Sequence, residues 1–142
     1  MKREIITKLT KNFEDYAYEK EGLEFWFARD LQKLLGYSKW ENFARVINKA
    51  KEACKNFRYD ILDHFPDVRK KVQLGSDAER EIEDIMLTRY ACYLIAQNGD
   101  SRKEEIAFAQ SYFAIQTRKQ EIIDEKKLAN STKKKVKLPK NL

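Results

Sequence analysis

The stretch WFARDLQKLLGYSKWENFARVINKAKEACKNFR, residues Trp26–Arg58, decides how the rest of the chain is read. Phe27, Ala28, Leu31, Leu34 and Leu35 recur at three- and four-residue spacing, the mark of one buried helical face. Gly36 then supplies the left-handed turn that ends a helix at low steric cost. Ser38 with Glu41 three residues later spells a capping box, so a second helix is expected to begin at Ser38. In that helix Phe43, Val46, Ile47, Ala50, Ala53, Cys54 and Phe57 form one apolar stripe. Asn42, Arg45, Asn48, Lys49, Glu52 and Lys55 occupy the opposite side. Two helices joined by a Gly-containing turn, the second basic outside, make a helix-turn-helix candidate. Many proteins that bind no nucleic acid share this shape, so the charge distribution has to be weighed beside it.

The 142 residues carry a formal net charge of +6. Residues 126–142, KKLANSTKKKVKLPKNL, hold seven Lys and no acid, which leaves residues 1–125 at −1. The body is therefore near neutral, and the basic excess belongs to the tail. Within the body the charge is uneven. Residues 29–58 contain eight basic residues against three acids, a local +5, while acids gather at 14–24 and 77–84. A local basic patch on a neutral domain suits steered DNA binding. A solvated helix surface reads the same way.

A chain of this length makes one domain with a full core. Hydrophobic residues at 42% and aromatics at 12% are ordinary for a globular protein, and four Gly with two Pro argue against disorder. No apolar run reaches the ~18 residues of a membrane span, and MKREIITKLTK lacks the apolar core of a signal peptide. Cys54 and Cys92 both fall on apolar helical patterns, as buried free thiols of a reducing compartment do. A cytoplasmic location follows.

Outside the opening stretch the chain reads as further helices and two β-hairpins. Ile5, Ile6 and Leu9 suggest a short helix. Phe13–Tyr18 and Leu23–Phe27 flank Glu19-Lys20-Glu21-Gly22 and predict a hairpin, with a longer first helix through Tyr18 as the alternative. Asp60–Pro66 reads as a connection, and its His64, the one histidine of the chain, as structural. Val68–Leu74 and Ile82–Leu87 predict a second hairpin, against a competing helix over 77–86 capped at Ser76. Thr88 is expected to cap a helix over Arg89–Gln97, ended by the left-handed-tolerant Asn98-Gly99-Asp100. Ser101 and Glu104 are expected to cap a long helix through about Glu125. Its Ile106, Phe108, Ala109, Tyr112, Phe113, Ala114 and Ile115 cover most of the circumference, as in a core helix or one shared with a second copy. Beyond Glu125 the periodicity fades, and a Lys-rich linker or tail without fixed structure is expected. The fold class is α+β, mainly helical, with two small hairpins and a long C-terminal helix.

The sequence holds no Gly-rich phosphate loop, no His/Cys metal spacing and no nucleophile with a base in sequence reach. Neither a cofactor nor a metal is expected, and a binding role is favoured over an enzyme. A Mg²⁺-dependent nuclease, which needs acids and a Lys converging in space, is the third class.

WFARDLQKLLGYSKWENFARVINKAKEAC together with LTRYACYLIAQNGDSRKEEIAFAQSYFAIQTRKQE resembles the DNA-damage-inducible protein D family. That family carries a Bro-N domain, the module also found in phage antirepressors and baculovirus repeated-ORF proteins. The likeness runs from about Phe13 to Glu121, and Leu31, Leu34, Leu35, Gly36 and Tyr37 match the helix-turn element that Bro-N domains share. The resemblance implies DNA binding, a bacterial or phage protein linked to the SOS response, and no catalytic residues. It also makes a recombination or repair protein a plausible partner. Members are considerably longer, so the chain reads as an N-terminal Bro-N-like domain, 1–125, followed by the tail, 126–142.

The expected DNA contacts are Arg29, Lys33, Lys39, Asn42, Arg45 and Lys49, for phosphates and base edges. Ser38 and its neighbours' backbone N–H groups mark a helix N-terminus, a natural phosphate site. Tyr37 and Trp40 either stack on bases or pack under the turn. Single- and double-stranded DNA are not distinguished. The competing function is a regulator that binds a repair protein and touches DNA weakly or through its tail.

Overall fold

Helices carry most of the chain and a small antiparallel sheet ties them together. The structure, a computed structural model, describes residues 1–75 and 77–137, with side chains at 116, 120 and 130–137 excepted. In order come α1 (Arg3–Asp15), β1 (Tyr18–Lys20), β2 (Leu23–Phe27), α2 (Ala28–Leu34), α3 (Trp40–Asn56) and α4 (Ile61–His64), then β3 (Asp67–Gln73), β4 (Glu79–Leu87), α5 (Arg89–Gln97) and α6 (Glu104–Lys137). This is the predicted mainly helical α+β architecture with two hairpins and a long last helix. The strand order is β1-β2-β4-β3, and every neighbouring pair is antiparallel.

Both readings of the N-terminal segment are partly met. Phe13 belongs to α1, whereas Tyr18–Lys20 pairs with Leu23–Phe25. Glu21 and Gly22 both have positive φ, 54° and 80°, the backbone of a type I′ hairpin turn. The second hairpin forms over Asp67–Gln73 and Glu79–Ile85, so the helix over 77–86 is not present. The two hairpins meet through Trp26↔Leu87 and Phe27↔Met86.

That junction is the centre of the core. Trp26 and Leu87 are buried, and Trp26 Nε1 donates to the Phe13 carbonyl at 3.0 Å. Phe13 in turn packs on Phe108, Tyr112 and Phe113 of α6, with ring centroids 5.3–5.7 Å apart. Burying one such ring contributes roughly 1.5–3 kcal/mol. Leu31 of α2, Leu35 at its C-cap, and Phe43, Ile47, Ala50 and Cys54 of α3 join this cluster. Cys54 and Cys92 are free and buried.

Several local expectations are corrected. The N-cap of α3 is Lys39, with no side-chain cap bond, so the Ser38–Glu41 box does not form. Phe57 lies past the end of α3 and is 72% exposed, outside the stripe assigned to it. Asp60–Phe65 contains a one-turn helix, capped by Asp60 accepting from Leu62 N. Thr88 does cap α5, accepting from Ala91 N. No residue of Asn98-Gly99-Asp100 has positive φ; Gly99 is needed because Ile106 Cγ2 lies only 2.9 Å from where a Cβ would stand. The last helix begins at Glu104, leaving Ser101 in the turn before it, and runs past Glu125 to Lys137. Loss of amphipathic period signals loss of burial, not loss of helix, and Lys, Glu, Ala and Leu all favour helix. Residues 138–142 of the expected tail lie outside the described residues.

Candidate nucleic-acid interface

The predicted contacts spread over three settings. Asn42, Arg45 and Lys49 are exposed along α3 at spacings of three and four, which places them on one face. Ser38 and Lys39 are exposed just before the helix, whose first turn has no side-chain cap. At such an end the backbone N–H groups and the helix dipole favour an anion.

Arg29 and Trp40 are brought together. The guanidinium lies 4.5 Å from the indole centroid, while Arg29 Nε donates to the Glu83 carbonyl at 2.7 Å. Trp40 meets Phe43 edge-on at 5.9 Å and Tyr37 tilts against the same ring at 5.1 Å. Tyr37 thus packs under the turn in this structure; it is half-buried and its carbonyl accepts from Gln32 Nε2 at 3.1 Å. Burial, with the Asp100 charge second, raises its phenol above the usual range. Trp40 is half-buried too, with Arg29 covering its ring.

Lys33 sits elsewhere. It lines a hollow of about 540 Å³ with Lys8, Glu104 and Glu105, among others. Glu105 also approaches the turn itself, its Oε2 3.7 Å from the Cβ position of Gly36, where φ is +79°. The turn thus has an acidic neighbour invisible in the local sequence. A cation was missed as well: Lys103 Nζ lies 4.9 Å from the Tyr37 ring centroid. Nothing within 29–58 signals a residue more than sixty positions away. The signal was the length of α6, whose start had to dock somewhere.

Beneath this surface one buried carboxylate organises the join between sheet and α2. Asp84, 2% exposed, accepts from Arg29 N at 3.1 Å and Ile85 N at 2.8 Å through Oδ1. Lys70 Nζ lies 2.7 Å from Oδ2 as an ion pair rather than an aligned hydrogen bond. The same ammonium is 3.7 Å from the Phe27 ring centroid. Asp30 nearby is pushed up by burial, against the pull of Lys70. Among the described residues no group of three or more His, Cys, Asp or Glu is arranged to hold a metal, and no helix is long and apolar enough to cross a membrane.

Comparison with known proteins adds the context of this surface. Residues 16–114 match the family described as BRO family, N-terminal domain. The chain belongs to that family. The match covers every expected contact from Arg29 to Lys49 and Lys103, and leaves out α1 and the distal part of α6. Over 104 residues the chain is 54% identical to the DNA damage-inducible protein D of Escherichia coli (strain K12), covering 73% of this chain and 38% of that relative. The chain thus spans well under half the length of this relative. No solved structure matches.

Proposed function

We propose that this chain is a non-catalytic DNA-binding domain of a regulatory protein made in response to DNA damage, as part of a bacterial SOS response. The name of its E. coli relative and membership of the BRO N-terminal family support the setting. The observation that carries DNA binding is the face of α3: Asn42, Arg45 and Lys49 exposed in a row below an N-terminus that no side chain caps. Arg29 stacked on Trp40, and Lys103 over Tyr37, extend the basic surface to either side. Residues 1–125 form the binding domain in this reading and 126–142 a Lys-rich linker; the cytoplasm is its location.

Phosphate neutralisation by Lys39, Arg45, Lys49, Arg29 and Lys103, with Ser38 as an uncharged donor, amounts to about five phosphates, a slope of log affinity against log salt of about −4.5 on duplex DNA. Lys33, beside Glu104 and Glu105, contributes little. Gel-shift titrations of the whole chain on single- and double-stranded DNA, beside Arg45→Glu, Lys49→Glu and a variant lacking 126–142, test the reading. It requires the two charge reversals to weaken binding more than the deletion does.

The second reading is a regulator that docks on a recombination or repair protein. The net charge of −1 over residues 1–125 favours it. It predicts the opposite ranking, with affinity lost on deletion and little changed by Arg45→Glu. Pairing of two copies through α6, where Ile115 is 55% exposed, is compatible with either.

A further inference from the structure

A second surface, past the far end of α3, has a different chemistry. A cavity of about 360 Å³ lies between the segment after α3, the start of α5 and the middle of α6, lined among others by Tyr59, His64, Tyr90, Thr117 and Glu121. That volume falls in the roughly 300–1,000 Å³ range of small-molecule sites. Three of its walls are aromatic. The Tyr59, His64 and Tyr90 ring centroids are 5.0–5.7 Å apart, and the rings meet at 60–83°, so they form a corner rather than a stack.

The charged groups of the lining are already engaged. Arg89 is ion-paired to Glu24 and Glu121 to Arg118, and Asp124 has an interaction of its own within the chain. The polar groups left over are neutral. Thr117 Oγ1 is buried without a hydrogen-bond partner. Thr7 and Thr10 of α1 instead give their hydroxyl hydrogens to the carbonyls of Arg3 and Ile6, four residues back. With no bond to break, a turn about χ1 exchanges the Thr117 hydroxyl with its methyl group. His64 is the other neutral group. Burial lowers its pKa against the pull of Asp63 and Asp60, and its Nδ1 lies 2.7 Å from the Thr88 hydroxyl. That hydroxyl accepts from Ala91 N and has no other acceptor among the described residues, so its hydrogen goes to Nδ1. The ring proton therefore sits on Nε2, which makes no hydrogen bond among the described residues.

We infer that this cavity binds a nucleobase, taken as a free nucleoside or as an unstacked base of a single strand. A base is flat, uncharged and edged with both donors and acceptors. It offers a face to the tyrosine rings and an edge to His64 Nε2–H and the Thr117 hydroxyl. An ion finds no free countercharge in this lining, and a purely apolar ligand leaves both polar groups unanswered. The inference does not rest on the α3 surface: 17 residues of α3 put the site about 25 Å from Trp40.

The test is an NMR titration of the whole chain with adenosine, followed at the ring signals of Tyr59, His64 and Tyr90. Saturable shifts in the millimolar range are expected for a single base. Tyr59→Leu, at a solvent-facing ring, should weaken binding by about 5- to 150-fold, the span of one base–aromatic stack. Thr117→Val should weaken it by about 2- to 10-fold, the span of one hydrogen bond, without lowering the unfolding midpoint, since the free protein loses no bond. A single-stranded deoxyadenosine oligomer that moves the same rings at lower concentration than adenosine names the single strand as the source, and the reverse order names the free nucleoside. Unmoved rings, a Thr117→Val variant that loses stability but not affinity, equal binding of benzyl alcohol, or tighter binding of adenosine monophosphate than of adenosine would each overturn the assignment. Adenosine carries no phosphate, so a failure here leaves the α3 reading untouched.

Discussion

Asp84 Oδ1 accepts the backbone N–H of Arg29 at 3.1 Å, so a residue of β4 caps a helix that follows β2. Phe27, at the N-cap of α2, has no side-chain acceptor of its own. The carboxylate also holds Lys70, whose side chain is 28% exposed. Replacing Asp84 by Ala removes the cap and strands a partly buried ammonium. A loss of about 2–4 kcal/mol is expected, below that of a fully buried pair because Lys70 keeps some solvent. Urea unfolding midpoints measure it, and a loss under about 1 kcal/mol would contradict the role given to Asp84.

Two glycines are held for different reasons, and substitution separates them. Gly36 has φ +79° with ordinary space around it, so Gly36→Ala should cost about 1–2 kcal/mol and Gly36→Asn less, since Asn tolerates the left-handed region. Gly99 is limited by Ile106 Cγ2 at 2.9 Å, so Gly99→Ala should cost about 1–3 kcal/mol and Gly99→Asn more. Thermal unfolding of the four variants gives the two orderings directly.

The contrast shows what the sequence can and cannot carry. Gly36 and Thr88 were legible because the signal and its partner lie within one turn of each other. So were both hairpins, through runs of β-formers around Gly22 and Gly75. The Ser38–Glu41 pattern misled because such a box is a local option that the start at Lys39 does not use. Lys103 over Tyr37, Glu105 beside Gly36 and Asp84 beneath Arg29 are long-range pairings that no spacing encodes. The surface of α3 was therefore readable in Asn42, Arg45 and Lys49, while its flanks were not.

Burial of His64 lowers its pKa, with Asp63 and Asp60 opposing. The unfolded chain then takes a proton at a pH where the folded chain does not. The stability tied to the neutral ring is present above the ordinary value of 6.5 and is lost as pH falls through the lower folded value. Stability measured by urea should drop over this acid range, and His64→Gln should flatten that part of the profile. An NMR titration placing His64 above 6.5 would reverse the sign.

Tyr112 moves the other way. Burial first, then Glu14 and Glu24, push its phenol from 10.0 to about 12. The folded chain keeps the proton longer, so this contribution is intact below pH 10 and disappears as pH rises toward 12. Ultraviolet titration should show a late-ionising phase to which Tyr37 and Tyr90 also contribute, and Tyr112→Phe should remove the part of it that titrates toward 12.

Shortening Trp26 to Phe deletes the bond from Nε1 to the Phe13 carbonyl, buried at the meeting of α1 and the sheet. A cost of about 1–3 kcal/mol is expected from the stranded carbonyl, beyond the loss of ring area. Hydrogen exchange should register the loosening first in α1, whose other anchor on α6 is the Phe13 ring.

Helix α6 spans 34 residues, a rod of about 51 Å at 1.5 Å per residue. Residues 121–129 along it are solvent-exposed. A rod transmits direction as well as distance. Each residue inserted there turns the far end by about 100° around the axis, so insertions of one and of four residues differ far more in heading than in reach. Whatever is attached at that end is set by rotational phase, the way gears are set by tooth count.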